Sequence, residues 1–393
     1  MNPGGARLAR GHVVVALHEP TLGGASLSVL RAVPRLEELG WDFSFWVPHP
    51  SSASEELAAA GYDVGGAPRY IEYSGRSWRL PPGPRRRLAS VPSYLAAYRR
   101  FLADRRPDLV HANSIICIAE ALVAKRDGHR VLLHVHEMLP EALRGRAMRR
   151  VAWRYLDGIV AVSIASARRM ALPGRLPRIA HEAAPIPDEP VKIRAHPEPF
   201  TVGTVAVISK RKGSDTFVDA AARLKERVPH IRFEMVGAPS DALEERWARR
   251  LLQRAESLEI DHTPHADVAE RLRRWDAFVL PSRADPFPIS MLEAMAAGLP
   301  VVGTRVDGIA EQLEGCGVTV PVSDPNALAD AIASLAQASQ PDREAMGAAA
   351  RRRVMANFTI PRQAACLDEA YQAALARPHL SSARAAKGQP SEE

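Results

Sequence analysis

Short apolar and β-branched runs alternate along the chain with segments whose apolar positions recur every three to four residues. "HVVVAL" (12–17) reads as a strand, and "LGGASLSVLRAVPRLEELG" comes after it with Val29, Leu30, Val33 and Leu36 at helical spacing and Gly40 closing the element. The same reading predicts strands at 43–47, 108–112, 130–137 and 158–163, separated by helices near 51–60, 88–106, 114–125 and 139–155. This first series ends near residue 182. "AAPIPDEPVKIRAHPEP" (183–199) then holds five prolines with little apolar periodicity, which marks a linker. A second series opens at "FTVGTVAVI" (200–208). Its strands fall at 231–236, 277–281, 300–304 and 317–320, with helices near 214–228, 241–257, 266–275, 289–297 and 325–337. In the last of these Asp324 is the expected N-cap and Pro325 the first helical residue.

Strands alternating with helices specify parallel sheets covered on both faces. The expected architecture is therefore α/β, with two doubly wound, Rossmann-like domains at 1–182 and 200–358 joined by the 183–199 linker. A C-terminal helix at 359–377 is expected to pack back on the first domain, ahead of a disordered tail at 378–393.

Composition changes this picture in two places. The 393 residues include only three cysteines, Cys117, Cys316 and Cys366, too few and too scattered for a disulfide framework, so the expected compartment is the cytoplasm. Neither a secretory leader nor a run of membrane-spanning length is evident. The net charge of +7 is uneven: nine arginines stand between Arg76 and Arg106 against the single acid Asp104. That segment suits either an anionic membrane face or an acidic substrate, or else is a solvated loop and helix face; no nucleic-acid motif accompanies it.

In doubly wound sheets, ligands bind beyond the carboxyl ends of the strands, so chemistry is sought in those loops. "VISKRKGSDTF" ends a strand with Lys210, Arg211 and Lys212, turns at Gly213 and opens a helix. Free helix-start amides beside cations favour an anion such as a diphosphate, although an exposed basic turn would look the same. The loop has neither a Walker pattern nor GxGxxG. "DPFPISMLEAMAAGLPVV" (285–302) places Asp285 in a strand-end loop and Glu293 inside the next helix among Met291, Leu292 and Met295. A carboxylate in such company needs a specific partner or a cleft. The pair fits sugar hydroxyls on either side of an anion held by the helix amides, or a capping acid plus an ion-paired core-edge glutamate. In "RVLLHVHE", alternation puts His134 and His136 on one face, with His136 nearer the strand's carboxyl end; His134 is expected to be a satisfied core residue. Glu137 and His111 are secondary candidates.

The spacing Asp285-x7-Glu293 followed by "AMAAGLPVV" resembles the E-x7-E segment of the retaining glycosyltransferases of family 4, which have the GT-B fold. "LGGASLSVL" is similar to that family's glycine-rich first loop, "RKGSD" to its phosphate loop, "IVAVS" to the strand before its hinge and "VDGIAEQL" (306–313) to its GG-x-x-E segment. The resemblance implies an acceptor-binding first domain and a nucleotide-sugar-binding second one. It implies that Lys212, with Arg211, neutralises the diphosphate, and that Asp285 contacts the sugar with the backbone of Phe287, Pro288, Ile289 and Ser290 around it. Glu293 would bind the ribose hydroxyls, Gly23 and Gly24 would let the first loop close over the diphosphate, and His136 would face the sugar. The family's glycine–arginine pair is Ala206-Val207 here, so either Arg211 or Lys210 would replace the missing arginine.

The activity implied by the resemblance is that of a retaining hexosyltransferase using a nucleoside diphosphate sugar, UDP before GDP. It would act on a glycan, glycolipid or small-molecule acceptor, with no metal or other cofactor and no nucleic-acid partner. Peripheral contact with the inner membrane face through 76–106 is a further expectation. A GT-B epimerase or phosphorylase, or a nucleotide-sugar-binding protein with impaired catalysis, are the alternatives.

Overall fold

The computed structural model of the chain describes residues 10–378 apart from positions 20, 49–50, 68–90, 196–197, 229 and 240–243. The first sheet contains β1 (Gly11–Ala16), β2 (Trp41–Val47), β3 (Asp63–Gly66), β4 (Leu109–Ala112), β5 (Arg130–Val135), β6 (Gly158–Ala161) and β7 (Arg178–Ile179), in the order β3-β2-β1-β4-β5-β6-β7. The second contains β8 (Phe200–Val205), β9 (Ile231–Val236), β10 (Asp261–Thr263), β11 (Ala277–Leu280), β12 (Val301–Thr304) and β13 (Val318–Val320), in the order β10-β9-β8-β11-β12-β13. Every pairing is parallel. Helices on both faces remove the strands from water, which is why Val13 to Leu17 and Ala277 to Leu280 are unbroken apolar runs and almost fully buried. In each sheet the strand order reverses once, between β1 and β4 and between β8 and β11. Each reversal opens a crevice at the strands' carboxyl ends.

Three strands escape the sequence reading: β3, β7 and β10. All lie at sheet edges, and their sequences are "DVGG", "RI" and "DHT". An edge strand lacks the two-sided burial that selects an apolar run. The segment expected as one helix at 114–125 begins instead with a 3₁₀ turn, Ile115–Cys117, before the α-helix Ile118–Arg126. Asp324 caps its helix as expected, accepting from the amides of Asn326 and Ala327.

The helix Ile360–Leu375 lies against the first sheet, burying Leu367, Ala370, Tyr371 and Ala374. Tyr371 Oη meets His111 Nδ1 at 2.7 Å, Gln363 donates to Ser28 Oγ at 2.6 Å, and Asp368 accepts from Trp41 Nε1 at 2.8 Å. The C-terminal helix thus belongs to the core of the first unit although the chain reaches it through the second. Residues 76–90 of the arginine-rich segment and 379–393 of the tail lie outside the described residues. In the helix Val91–Arg105, Arg99 and Arg105 pair with Asp127 and Asp63. Among the described residues, no helix is long and apolar enough to cross a membrane.

Candidate active site

The second sheet's reversal point is where the basic loop and the Asp285 loop meet. Gly213 takes φ 68, and a Cβ there would lie 1.9 Å from the Pro281 carbonyl oxygen, so only glycine lets the backbone turn this close to the end of β11. Three bonds then lace the loops together. Arg283 N donates to Arg211 O at 2.7 Å, Arg211 Nη1 donates to Ala284 O at 3.0 Å, and Lys212 Nζ donates to Asp285 Oδ2 at 2.6 Å. The Arg283 guanidinium adds a fork onto Asp215, at 2.7 and 2.9 Å. Lys212 and Asp285 are both largely buried, and Ser282 Oγ gives the carboxylate a second hydrogen bond at 3.1 Å.

Helix Asp307–Leu313 fixes the other side of the Asp285 loop. Asp285 N donates to Asp307 Oδ2 at 3.1 Å, and Gly308 N donates to Asp285 O at 3.1 Å. Gly308 again allows the contact, since a Cβ would approach Pro286 O to 1.9 Å. Burial pushes the Asp307 carboxyl above its usual range, partly offset by the Asp285 amide. Helix Ile289–Ala296 then starts at Pro288, which has no side chain able to cap its amides.

The first unit meets this site along helix Gly24–Glu38, whose N-cap Gly23 also provides no side-chain cap. A Cβ on Gly24 would be 3.9 Å from Ile289 Cδ1, so the two uncapped helix starts are neighbours. Further along, Arg31 Nη2 donates to Glu293 Oε1 at 2.6 Å. Below them Glu311 accepts from His181 Nε2 at 2.5 Å and from the Ile164 amide at 2.9 Å, and His181 lies against the Phe287 and Phe358 rings. Phe287 is itself buried, so its ring packs the interface.

His136 comes just after β5 and is fully engaged. Asn113 donates its amide to Ala25 O at 3.0 Å, which leaves Asn113 Oδ1 to accept from His136 Nε2 at 3.0 Å. The other ring nitrogen, Nδ1, faces Glu182 Oε1 at 2.8 Å. With a hydrogen on Nε2, the Nδ1–Glu182 axis holds one proton, and the pair is neutral overall in either form. Burial drives the ring down to about 3 and the Glu182 carboxyl well above its usual range, with Arg31 and His181 opposing the latter, so the uncharged form is favoured. His18, also buried, is pushed down to about 3, first by burial and then by His136. Glu137 accepts from Ser114 Oγ and the Ile115 and His136 amides, yet burial raises it to about 7. His111 is held by Tyr371 and is part of the core. His134 corrects an expectation: it is buried as foreseen, but neither ring nitrogen has a partner among the described residues.

The residues expected from sequence therefore divide. Arg211, Lys212, Asp285, Ile289 and Glu293 are brought to one region facing Gly23 and Gly24. Lys210 is exposed and lies over the Trp247 ring at 5.8 Å, so of these two cations Arg211 is the one that adjoins the Asp285 loop, beside Lys212. Arg31, Asn113, Glu182 and His181 belong to no such motif in the sequence, whereas Glu311 lies in the 306–313 segment similar to GG-x-x-E. Asn113 and Glu182 come after β4 and β7, where the strand-end rule directs attention. Arg31 lies seven residues after Gly24, on the same helical face.

Comparison with known proteins places these elements in a family. Residues 186–353 match the model for "Glycosyl transferases group 1", and residues 22–179 match that for "Glycosyltransferase Family 4". The chain is 29% identical over 184 residues to the putative colanic acid biosynthesis glycosyltransferase WcaL of Escherichia coli, covering 43% of this chain and 44% of the relative. It is 32% identical over 187 residues to a D-inositol 3-phosphate glycosyltransferase of Paenarthrobacter aurescens, covering 46% and 45%. These alignments thus span just under half the length of the curated relatives. Among solved structures, Anabaena Alr3699/HepE in complex with UDP-glucose superposes with a TM-score of 0.77 at 18% identity, covering 92% of this chain and 99% of that one. At that identity the likeness concerns the fold, two facing α/β units of the GT-B kind.

Proposed function

Because the chain belongs to the family 4 glycosyltransferases, we propose that it moves a hexose-type sugar from a nucleoside diphosphate sugar to a hydroxyl group with retention at the anomeric carbon. UDP is favoured over GDP, and the acceptor is a glycan, glycolipid or small molecule read by the first unit's loops. One observation carries the reading. The cationic loop after β8 is bonded to the Asp285 loop after β11, and the uncapped start of the helix that follows adjoins the uncapped start of Gly24–Glu38 in the other unit. A diphosphate is the ligand that such a concentration of amides and cations stabilises.

The hard step is departure of the diphosphate while the anomeric carbon becomes positive. Lys212, Arg211 and the amides at Ile289 and Gly24 would meet that charge as it develops, so the reading invokes no metal. Asp285, held beside Lys212, would accept from the sugar's hydroxyls. His136 offers no free ring nitrogen for a base. This agrees with a front-face transfer in which the leaving phosphate takes the acceptor's proton. Glu311, bridging to His181 and Ile164, would keep the two units closed over the reactants and exclude water.

The test is a melting scan with UDP, GDP, ADP and dTDP, and then with the corresponding sugars in the presence of EDTA. A stabilising shift with one nucleoside diphosphate, and release of that diphosphate only when an acceptor is added, is expected. No shift with any of them would remove the proposal. Turnover of the sugar without an acceptor would favour an epimerase.

A further inference from the structure

Arg31 has no part in the sugar transfer as proposed, yet it crosses from the first unit to the helix that carries Glu293. Gly24 neighbours Ile289 and Arg31 reaches Glu293, so the contacts follow the same order along helices Gly24–Glu38 and Ile289–Ala296. Arg31 lies seven residues into that pairing on one helix and Glu293 four residues into it on the other. Counted along each helix, the rise from Gly24 to Arg31 exceeds that from Ile289 to Glu293 by about 4.5 Å, at ~1.5 Å per residue. Helical side chains lean toward the N-terminus, so the arginine reaches back down by that distance and meets the carboxylate.

The bond uses half of each group. Nη2 donates to Glu293 Oε1, while Oε2 takes no part in that contact. Nη1 is buried and has no partner among the described residues. Nearby, Glu182 Oε2 is buried in the same condition, close enough for Arg31 to act on the Glu182 carboxyl. An arginine held by one nitrogen, with its second donor buried and unused, is poised for an oxygen that neither unit supplies.

We propose that Arg31 completes the ribose site: it fixes the Glu293 carboxylate through Nη2 and leaves Nη1 to donate to the ribose hydroxyl whose proton Glu293 accepts. The inference rests on the nucleoside diphosphate reading. It makes ribose recognition depend on closure of both units, because one half of the pair comes from each.

The test uses Arg31→Met, which keeps the apolar stem, and Arg31→Lys, with titration calorimetry of the full chain against UDP, or whichever diphosphate the melting scan selects, and its 2′,3′-dideoxy analogue. Arg31→Met is expected to weaken the ribonucleotide about tenfold, the value of a charge-assisted hydrogen bond, and to leave the dideoxy analogue unchanged. Arg31→Lys should recover part of the loss, and Glu293→Gln should repeat the selectivity. Equal weakening of both ligands would mean that Arg31 only docks the units or touches the phosphates, and overturns the proposal. So does an unchanged ribonucleotide affinity. Should Arg31→Met fail to fold, the same comparison on Arg31→Lys decides. If the unaltered chain binds no nucleoside diphosphate, the functional reading itself fails, which is a separate outcome from loss of the hydroxyl selectivity alone.

Discussion

Removing the Lys212 ammonium tests the phosphate loop and the Asp285 pairing together. Lys212→Met keeps most of the side chain's volume and deletes its charge. Asp285 is then a carboxylate only 3% exposed that has lost the 2.6 Å bond to Nζ and keeps the Ser282 hydroxyl. Breaking a buried ion pair from one side costs about 3–5 kcal/mol, because the other charge is stranded. With the Lys212 side chain 13% exposed, water relieves part of that, and a loss of about 3 kcal/mol is expected. Asp285→Asn removes the stranded charge, so the double variant should recover at least ~1.5 kcal/mol relative to the sum of the single losses. Urea denaturation of the four proteins, monitored by tryptophan fluorescence, measures this cycle. In the same proteins nucleoside diphosphate affinity should fall about ten- to a hundredfold whenever Lys212 is missing, and should not fall when only Asp285 is changed. Stabilities that add within about 0.5 kcal/mol would refute the pairing. Diphosphate affinity untouched by Lys212→Met would refute the phosphate loop.

Gly213→Ala places a methyl group 1.9 Å from Pro281 O in a left-handed backbone conformation. It should cost more than about 2 kcal/mol and abolish the nucleotide-induced melting shift, both read by thermal denaturation. A Tm drop with the shift retained would mean that this turn does not shape the site. His134→Leu removes a buried imidazole with two unsatisfied nitrogens. Because burial lowers the folded-state pKa, only the unfolded chain takes up this proton below pH 6.5, so the wild type loses stability there. The variant should gain on the wild type by up to about 1.4 kcal/mol for each pH unit below 6.5, measured by denaturation at pH 7, 6 and 5; a constant difference would contradict this. Tyr371→Phe strips His111 of its hydroxyl partner and should cost about 1–2 kcal/mol with nucleotide binding intact, measured by denaturation and calorimetry.

Much of the fold is legible because two-sided burial writes itself into strands such as "VVVAL" and "AFVL". Among the strands the exceptions are the edge strands "DVGG", "RI" and "DHT", where hydrogen bonding to one neighbour suffices and the side chains carry no pattern; the short helices Ile164–Met170 and Asp307–Leu313 also escape the pattern. The second unit's half of the site is equally legible. Its residues are local in sequence: Arg211 to Gly213 in one turn, Asp285 to Glu293 in another. What escapes are contacts whose partners lie far apart. Arg31 and Glu293 are separated by 262 positions, His136 and Glu182 by 46, and His181 and Glu311 by 130. Periodicity places Arg31 on the Gly24 face but says nothing of which helix that face will meet. His134 shows the opposite limit: alternation locates its ring correctly, while the environment of its nitrogens is set by His111 and His136 on either side.

The charges assigned to the nucleotide sugar have protein partners already: Lys212 has Asp285, and Glu293 has Arg31. Most of the desolvation of those groups is therefore met on folding, and binding adds ligand partners to the atoms these pairs leave over without first stripping water from a bare ion. The surplus left as affinity is then small, while geometry is strongly selected, since each partner fixes the direction in which the remaining oxygen or N–H points. An arrangement of that kind favours interactions that strengthen as the diphosphate gains charge over those that hold the intact sugar nucleotide tightly. The two pairs also differ in a consequential way. Lys212–Asp285 lies wholly within the second unit and persists however the units are disposed, whereas Arg31–Glu293 exists only when they are closed. The Lys212 part of the proposed phosphate contact thus belongs to one domain, while its Gly24 part and the proposed ribose contact both depend on closure.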